Sequence, residues 1–144
     1  MPISNYTTTI APEKTIGEIS KMLARFGARR IITDYDDDGE LTALQFMLEI
    51  KGKMAFYQLP CNAQGVLNTL VRDQAPAKFR NLSHARRVAW RIIRDWVEAQ
   101  IAIVDAGQAV MAEVFLPYAV AQSGKTLYQE IEAGRIKLLG EKPT

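Results

Sequence analysis

The feature that most constrains the fold is a change of hydrophobic period near residue 60. Thr42, Leu44, Phe46, Leu48 and Ile50 recur at every second position, which puts them on one face of a strand. Beyond Asn62 the spacing becomes three and four, as in Val66, Leu67, Leu70 and Val71, the pattern of an amphipathic helix. A chain that is strand-rich over 1–60 and helical over 61–135 is expected to be α+β, with helices gathered on one face of a sheet. A frayed tail is expected over 136–144.

Local signals fill in the order β-α-β-β-β followed by helices. Tyr6–Ile10 is rich in Thr and reads as a strand. Thr15 and Glu18 have the spacing of a capping box, and Ile16, Ile19, Leu23 and Phe26 continue a helix that Gly27 ends. Arg29–Tyr35 reads as a strand, Asp36-Asp37-Asp38-Gly39 as a hairpin tip, and Lys51-Gly52 as a second tight turn before a strand over Met54–Leu59. Asn62 is positioned to cap one helix and Ser83 a longer one. The long helix carries Ala85, Val88, Ala89, Ile92, Trp96, Ala99 and Ile103 as its expected apolar stripe. It ends either at Gly107 or near Pro117. A short helix over Thr126–Glu132, capped by Ser123 or a neighbour, follows.

With 144 residues, 48% of them apolar and 24% charged, the chain is expected to form a single domain, 1–144, with a core of its own. Its one cysteine, Cys61, cannot close an internal disulfide and suits a reducing cytosol. No apolar run reaches the roughly 18 residues of a membrane span, and the N-terminus has no signal-peptide pattern. The expected location is the cytoplasm, with no membrane partner.

The net charge is only +2, but it is unevenly spread. Between Gln74 and Arg94 stand Lys78, Arg80, Arg86, Arg87, Arg91, Arg94 and His84, with no acid, whereas Asp34–Glu40 holds four Asp and one Glu. On a helical wheel Arg87, Arg91 and Arg94 oppose the apolar stripe, and Trp90 sits at its border. Arginine forks match phosphate oxygens, and an indole can stack on a base. Arg86, Arg87, Trp90, Arg91 and Arg94, extended by Lys78 and Arg80, are therefore the candidate nucleic-acid or phosphate site. Against this stands a solvated helix face of ion pairs, since Arg91–Asp95 and Arg94–Glu98 are both spaced i, i+4.

Other constellations are incomplete. Asp34, Asp36, Asp38 and Gly39 resemble the start of a calcium loop, but Gln45 stands where the bidentate Glu belongs. Ser123-Gly124-Lys125-Thr126 resembles the end of a phosphate loop, but Ala119 replaces its first glycine. Cys61 and His84 are single representatives of their types, too few for a zinc site. Glu98, Asp105 and Glu113 show no pairing suited to acid–base work. No catalytic residue, metal or cofactor is expected, and binding is favoured over catalysis. The apolar segment 99–118 reads as a buried central helix or as half of a homo-oligomer interface anchored by Met111, Phe115 and Tyr118.

Residues 88–100 (Val-Ala-Trp-Arg-Ile-Ile-Arg-Asp-Trp-Val-Glu-Ala-Gln), 113–118 and Thr126-Leu127-Tyr128 resemble a group of small uncharacterised proteins encoded by bacteriophages, prophages and other mobile elements. Ala11-Pro12-Glu13-Lys14-Thr15 and Phe26-Gly27-Ala28 share the likeness. The resemblance implies an accessory protein in the cytoplasm of a bacterial host and brings no ligand or catalytic residue with it. In that setting the arginines would bind phage nucleic acid. The alternative is an anti-defence role, in which they would grip a host protein or trap a phosphorylated nucleotide signal.

Overall fold

The computed structural model describes residues 3–140. Of the expected tail over 136–144, residues 141–144 lie outside this range. The domain is α+β: a three-stranded antiparallel meander with helices on its inner face. Helix α1 spans Pro12–Arg25, and strands β1, β2 and β3 span Arg30–Tyr35, Leu41–Ile50 and Lys53–Gln58 in spatial order β1-β2-β3. Helices α2 (Ala63–Arg72), α3 (Leu82–Asp105), α4 (Met111–Val114) and α5 (Leu127–Glu132) follow.

The segment Tyr6–Ile10 does not form the expected strand: it is turn and irregular chain, so among the described residues no strand precedes α1. Ile3 and Tyr6 pack against a small cluster of Leu70, Ala75 and Ala85 instead of a sheet edge. The proposed capping box at Thr15 is also corrected. Helix α1 begins earlier, with Ala11 as N-cap and Pro12 in the first turn, where a missing N–H costs nothing. Thr15 is buried inside the helix, and Glu18 points to α3.

Sheet register follows turn chemistry. Lys51 (φ 50°) and Gly52 (φ 78°) both adopt left-handed backbone between β2 and β3, the geometry of a two-residue hairpin whose twist matches its strands. On the inner face Phe46 lies opposite Tyr57 and Ile31 opposite Phe46. The Phe46 and Tyr57 rings stack at 5.2 Å, and Phe115 meets Phe46 edge-on at 5.3 Å. These residues share one core with Ile19 and Leu23 of α1 and Trp90, Ile93, Val97 and Ile101 of α3.

Helix α3 is capped by Asn81, whose side chain accepts from the His84 N–H at 2.8 Å, rather than by Ser83. It ends at the first of the two expected stops: Gly107 (φ 76°) closes the helix, with Gln108 N donating to Ile103 O at 3.1 Å. The expected stripe is right only at its start. Ala85, Val88 and Ala89 are buried, but Ile92 and Trp96 are half-buried, and Ala99 and Ile103 are exposed. The buried line shifts to Trp90, Ile93, Val97 and Ile101. The physical reason is that α3 serves two clusters. Ala85 faces α2, whereas residues one step around the helix face α1 and the sheet.

The 99–118 segment is not one buried helix. Met111 and Phe115 are core residues of this chain and Tyr118 is half-buried against Trp96, so Met111 and Phe115 offer no exposed anchor to a second copy. Among the described residues no helix is long and apolar enough to cross a membrane.

Candidate functional site

The basic stretch divides into two groups. In the first, each arginine meets a carboxylate. Arg91 Nη1 donates to Glu18 Oε2 at 2.8 Å and to Thr15 Oγ1 at 3.3 Å. Arg94 Nε donates to Glu18 Oε1 at 3.1 Å, and its Nη atoms reach Asp95 and Glu98 at 3.3 and 3.2 Å. Arg86 approaches Asp36 at 3.5 Å and Glu40 at 4.0 Å, so the acidic hairpin tip lies against α3. Of the two expected i, i+4 pairs, Arg94–Glu98 forms. Asp95 meets Arg94, not Arg91, and also accepts from Asn5 at 2.9 Å.

Trp90 departs furthest from the expected site. Its relative exposure is 0%, so the folded chain presents no indole face for a base to stack on. It belongs to the core, as the helix packing requires.

The second group is Lys78, Arg80 and Arg87, which have no carboxylate partner among the described residues. Lys78 and Arg87 line one open recess of about 380 Å³ together with Thr8, Thr9, Phe79 and His84. The N-terminal segment around Thr8 and Thr9 makes one wall. The 3-10 turn Ala77–Phe79 and the first turns of α3 make the other. Arg80 is exposed just after that turn.

An aromatic stack holds these walls in place. Phe79 stacks on the His84 imidazole at 4.8 Å and receives the Tyr6 ring edge-on at 5.7 Å. Lys78 Nζ lies 5.0 Å from the Phe79 ring centre, within cation–π range. His84 Nε2 bonds the Tyr6 carbonyl oxygen. Since a carbonyl only accepts, Nε2 carries the proton. Thr8 Oγ1 accepts from Ile10 N at 3.1 Å, which fixes the threonine segment beside the recess. Two hydroxyls and two cations thus border a concave surface with no acid among its described lining residues, a combination suited to an anion that accepts hydrogen bonds.

The sequence places Lys78, Arg80, Arg87 and His84 in one basic stretch but does not point to Thr8, Thr9 or Phe79 as their neighbours. The run Lys78-Phe79-Arg80, an aromatic between two cations, was the available signal. Nothing local links Thr8 to Arg87.

The other motifs resolve into local structure. Asp36 Oδ1 accepts from the N–H groups of Asp38 and Glu40, both at 2.9 Å, which makes the acidic run a turn. Among the described residues no three His, Cys, Asp or Glu side chains converge on a common point. Ser123 and Lys125 form a turn whose end, Thr126, caps α5 through Gln129 N at 3.2 Å. Ser123 Oγ donates to Glu130. The Arg135 guanidinium grips Glu130 at 2.8 and 3.0 Å and holds its carboxyl below the usual range. Cys61 lines a different recess from His84, beside Asn62 and Arg86. Burial pushes its thiol up to about 12, so it stays protonated and weakly nucleophilic near neutral pH.

Compared with known protein families, curated proteins and solved structures, the chain shows no match.

Proposed function

We propose that the protein binds the phosphate backbone of nucleic acid through the recess between residues 8–9 and the start of α3. Lys78 and Arg87 supply charge, Arg80 extends it, and Thr8 and Thr9 supply hydroxyl donors. The observation that carries this reading is the division of the basic residues. Arg86, Arg91 and Arg94 already have carboxylate partners, whereas among the described residues Lys78, Arg80 and Arg87 have none. The first group braces α3 against α1 and the acidic hairpin tip, so its charge is largely neutralised locally. The second group keeps its charge for a partner.

Such contacts position a backbone without reading bases, so sequence preference should be weak. Nucleic-acid binding of this kind would suit the phage or mobile-element setting implied by residues 88–100 and 113–118. The test is fluorescence polarisation with labelled duplex and single-stranded DNA at low and moderate salt. Binding at low salt that weakens steeply with added salt supports the reading, because neutralised phosphates release counterions. No binding at low salt overturns it.

A further inference from the structure

We propose that the free edge of β1 pairs antiparallel with the same edge of a second copy of this chain, joining two three-stranded sheets into one continuous sheet. Hydrogen-bond alternation decides which backbone groups of β1 face outward. Leu59 N donates to Leu44 O at 3.0 Å, so Leu44, Phe46 and Leu48 direct their backbone groups to β3. By alternation Ala43, Gln45 and Met47 direct theirs to β1. Their register partners are Asp34, Ile32 and Arg30. The N–H and C=O groups of Ile31 and Thr33 therefore point away from β2. The same alternation sends the Phe56 carbonyl to the opposite edge of the sheet, where Val120 N bonds it at 2.7 Å.

The two edges are thus treated differently. The β3 edge is partly covered by Ala119 and Val120. Among the described residues, no backbone bond from outside the strands reaches Ile31 or Thr33. An uncovered edge is a template for another strand.

The sequence of β1 is self-complementary in one register. A two-fold axis at Ile32 sets Ile31 opposite Thr33 of the second copy and Thr33 opposite Ile31, so their outward groups meet as hydrogen-bonded pairs. Ile32 then lies opposite itself. Arg30 falls opposite Asp34, and Asp34 opposite Arg30, in the non-hydrogen-bonded pairs where side chains approach most closely. Arg30, Ile32 and Asp34 share the outer face of the sheet. Arg30 and Asp34 are both exposed, and among the described residues neither has an ion-pair partner within the chain. Sliding by two residues loses both Arg30–Asp34 pairs; in one direction it would set Arg30 opposite Asp36, but Asp36 lies beyond β1, past a register shift, and already meets Arg86, so the charges favour the first register.

The experiment is sedimentation analysis of the full chain over a concentration series. The wild type is expected to approach twice its 16.1 kDa at high concentration. Arg30→Asp or Asp34→Arg, each placing like charges opposite each other twice, should weaken the dimer by roughly tenfold. The double swap Arg30→Asp/Asp34→Arg should restore it. Thr33→Pro removes an outward N–H that β2 does not use, so it should abolish the dimer while leaving the circular dichroism spectrum unchanged. If Thr33→Pro fails to fold, the charge swap carries the test alone. A wild type that stays monomeric throughout, or a dimer that single charge reversals leave unchanged, overturns the proposal.

Discussion

Arg91 Nη1 donates to Glu18 Oε2 at 2.8 Å, tying the middle of α3 to α1. Arg94 takes the other oxygen of the same carboxylate at 3.1 Å, so one acid on α1 serves two cations on α3. Burial pushes the Glu18 carboxyl up, but hydrogen bonds and charge from Arg91 and then Arg94 outweigh it, and the group lies below its ordinary value.

That depression fixes a pH dependence. A carboxyl with a lower pKa folded than unfolded contributes stability that is present above its unfolded value, ordinarily 4.5, and lost as pH falls through the folded value. Glu18→Gln should therefore cost about 1–2 kcal/mol at neutral pH, discounted for partial exposure. It should also flatten the acid limb of the stability curve. Urea unfolding of wild type and variant at neutral pH and below pH 4 measures both. An equal difference at the two pH values would contradict the assignment.

Trp90 separates a packing role from a binding role. A fully buried large aromatic loses about 3–5 kcal/mol on truncation to alanine. Trp90→Phe keeps most of that volume and should retain nucleic-acid binding per folded molecule. Denaturant titration gives the stability loss, and polarisation of the Phe variant gives the affinity. A Phe variant that stays fully folded but no longer binds would return the indole to the site.

Asn81 and Ser83 give a direct test of where α3 begins. The Asn81 side chain accepts from His84 N, so Asn81→Ala should cost about 1 kcal/mol. Ser83 lies exposed within the helix, and Ser83→Ala should be neutral or slightly stabilising. Thermal or urea unfolding of the two variants ranks them, and the reverse order would move the cap.

The same residues show how far the fold was legible. Signals written in consecutive residues could be read directly: the Lys51-Gly52 turn and the cap at Asn62 depend on local backbone chemistry, whereas Gly107 was one of two stops that the sequence left open for α3. Asn81 was missed because Ser83, two residues on, offers the same capping oxygen. Tyr6–Ile10 has the composition of a strand, but Ile3 and Tyr6 find an apolar cluster under α3 instead of a sheet edge. The arginine face was legible as a charge pattern, and its partners were not. Whether Arg91 meets Asp95 or Glu18 depends on which helix lies alongside α3, and that is settled by packing across more than half the chain. For the same reason Lys78 and Arg87 could be named, while the threonines that border them could not.

The central claim is that Lys78, Arg80 and Arg87 hold nucleic-acid phosphates while Arg91 and Arg94 hold the fold together. The most direct measurement is the salt dependence of DNA affinity by polarisation, for wild type, Lys78→Ala and Arg87→Ala. Three phosphate contacts give a slope of log affinity against log salt of about −2.7 on duplex DNA. Each alanine substitution should reduce that slope by about 1 and weaken binding similarly for all sequences. A slope that neither substitution changes, or a wild type that does not bind at low salt, would contradict the account.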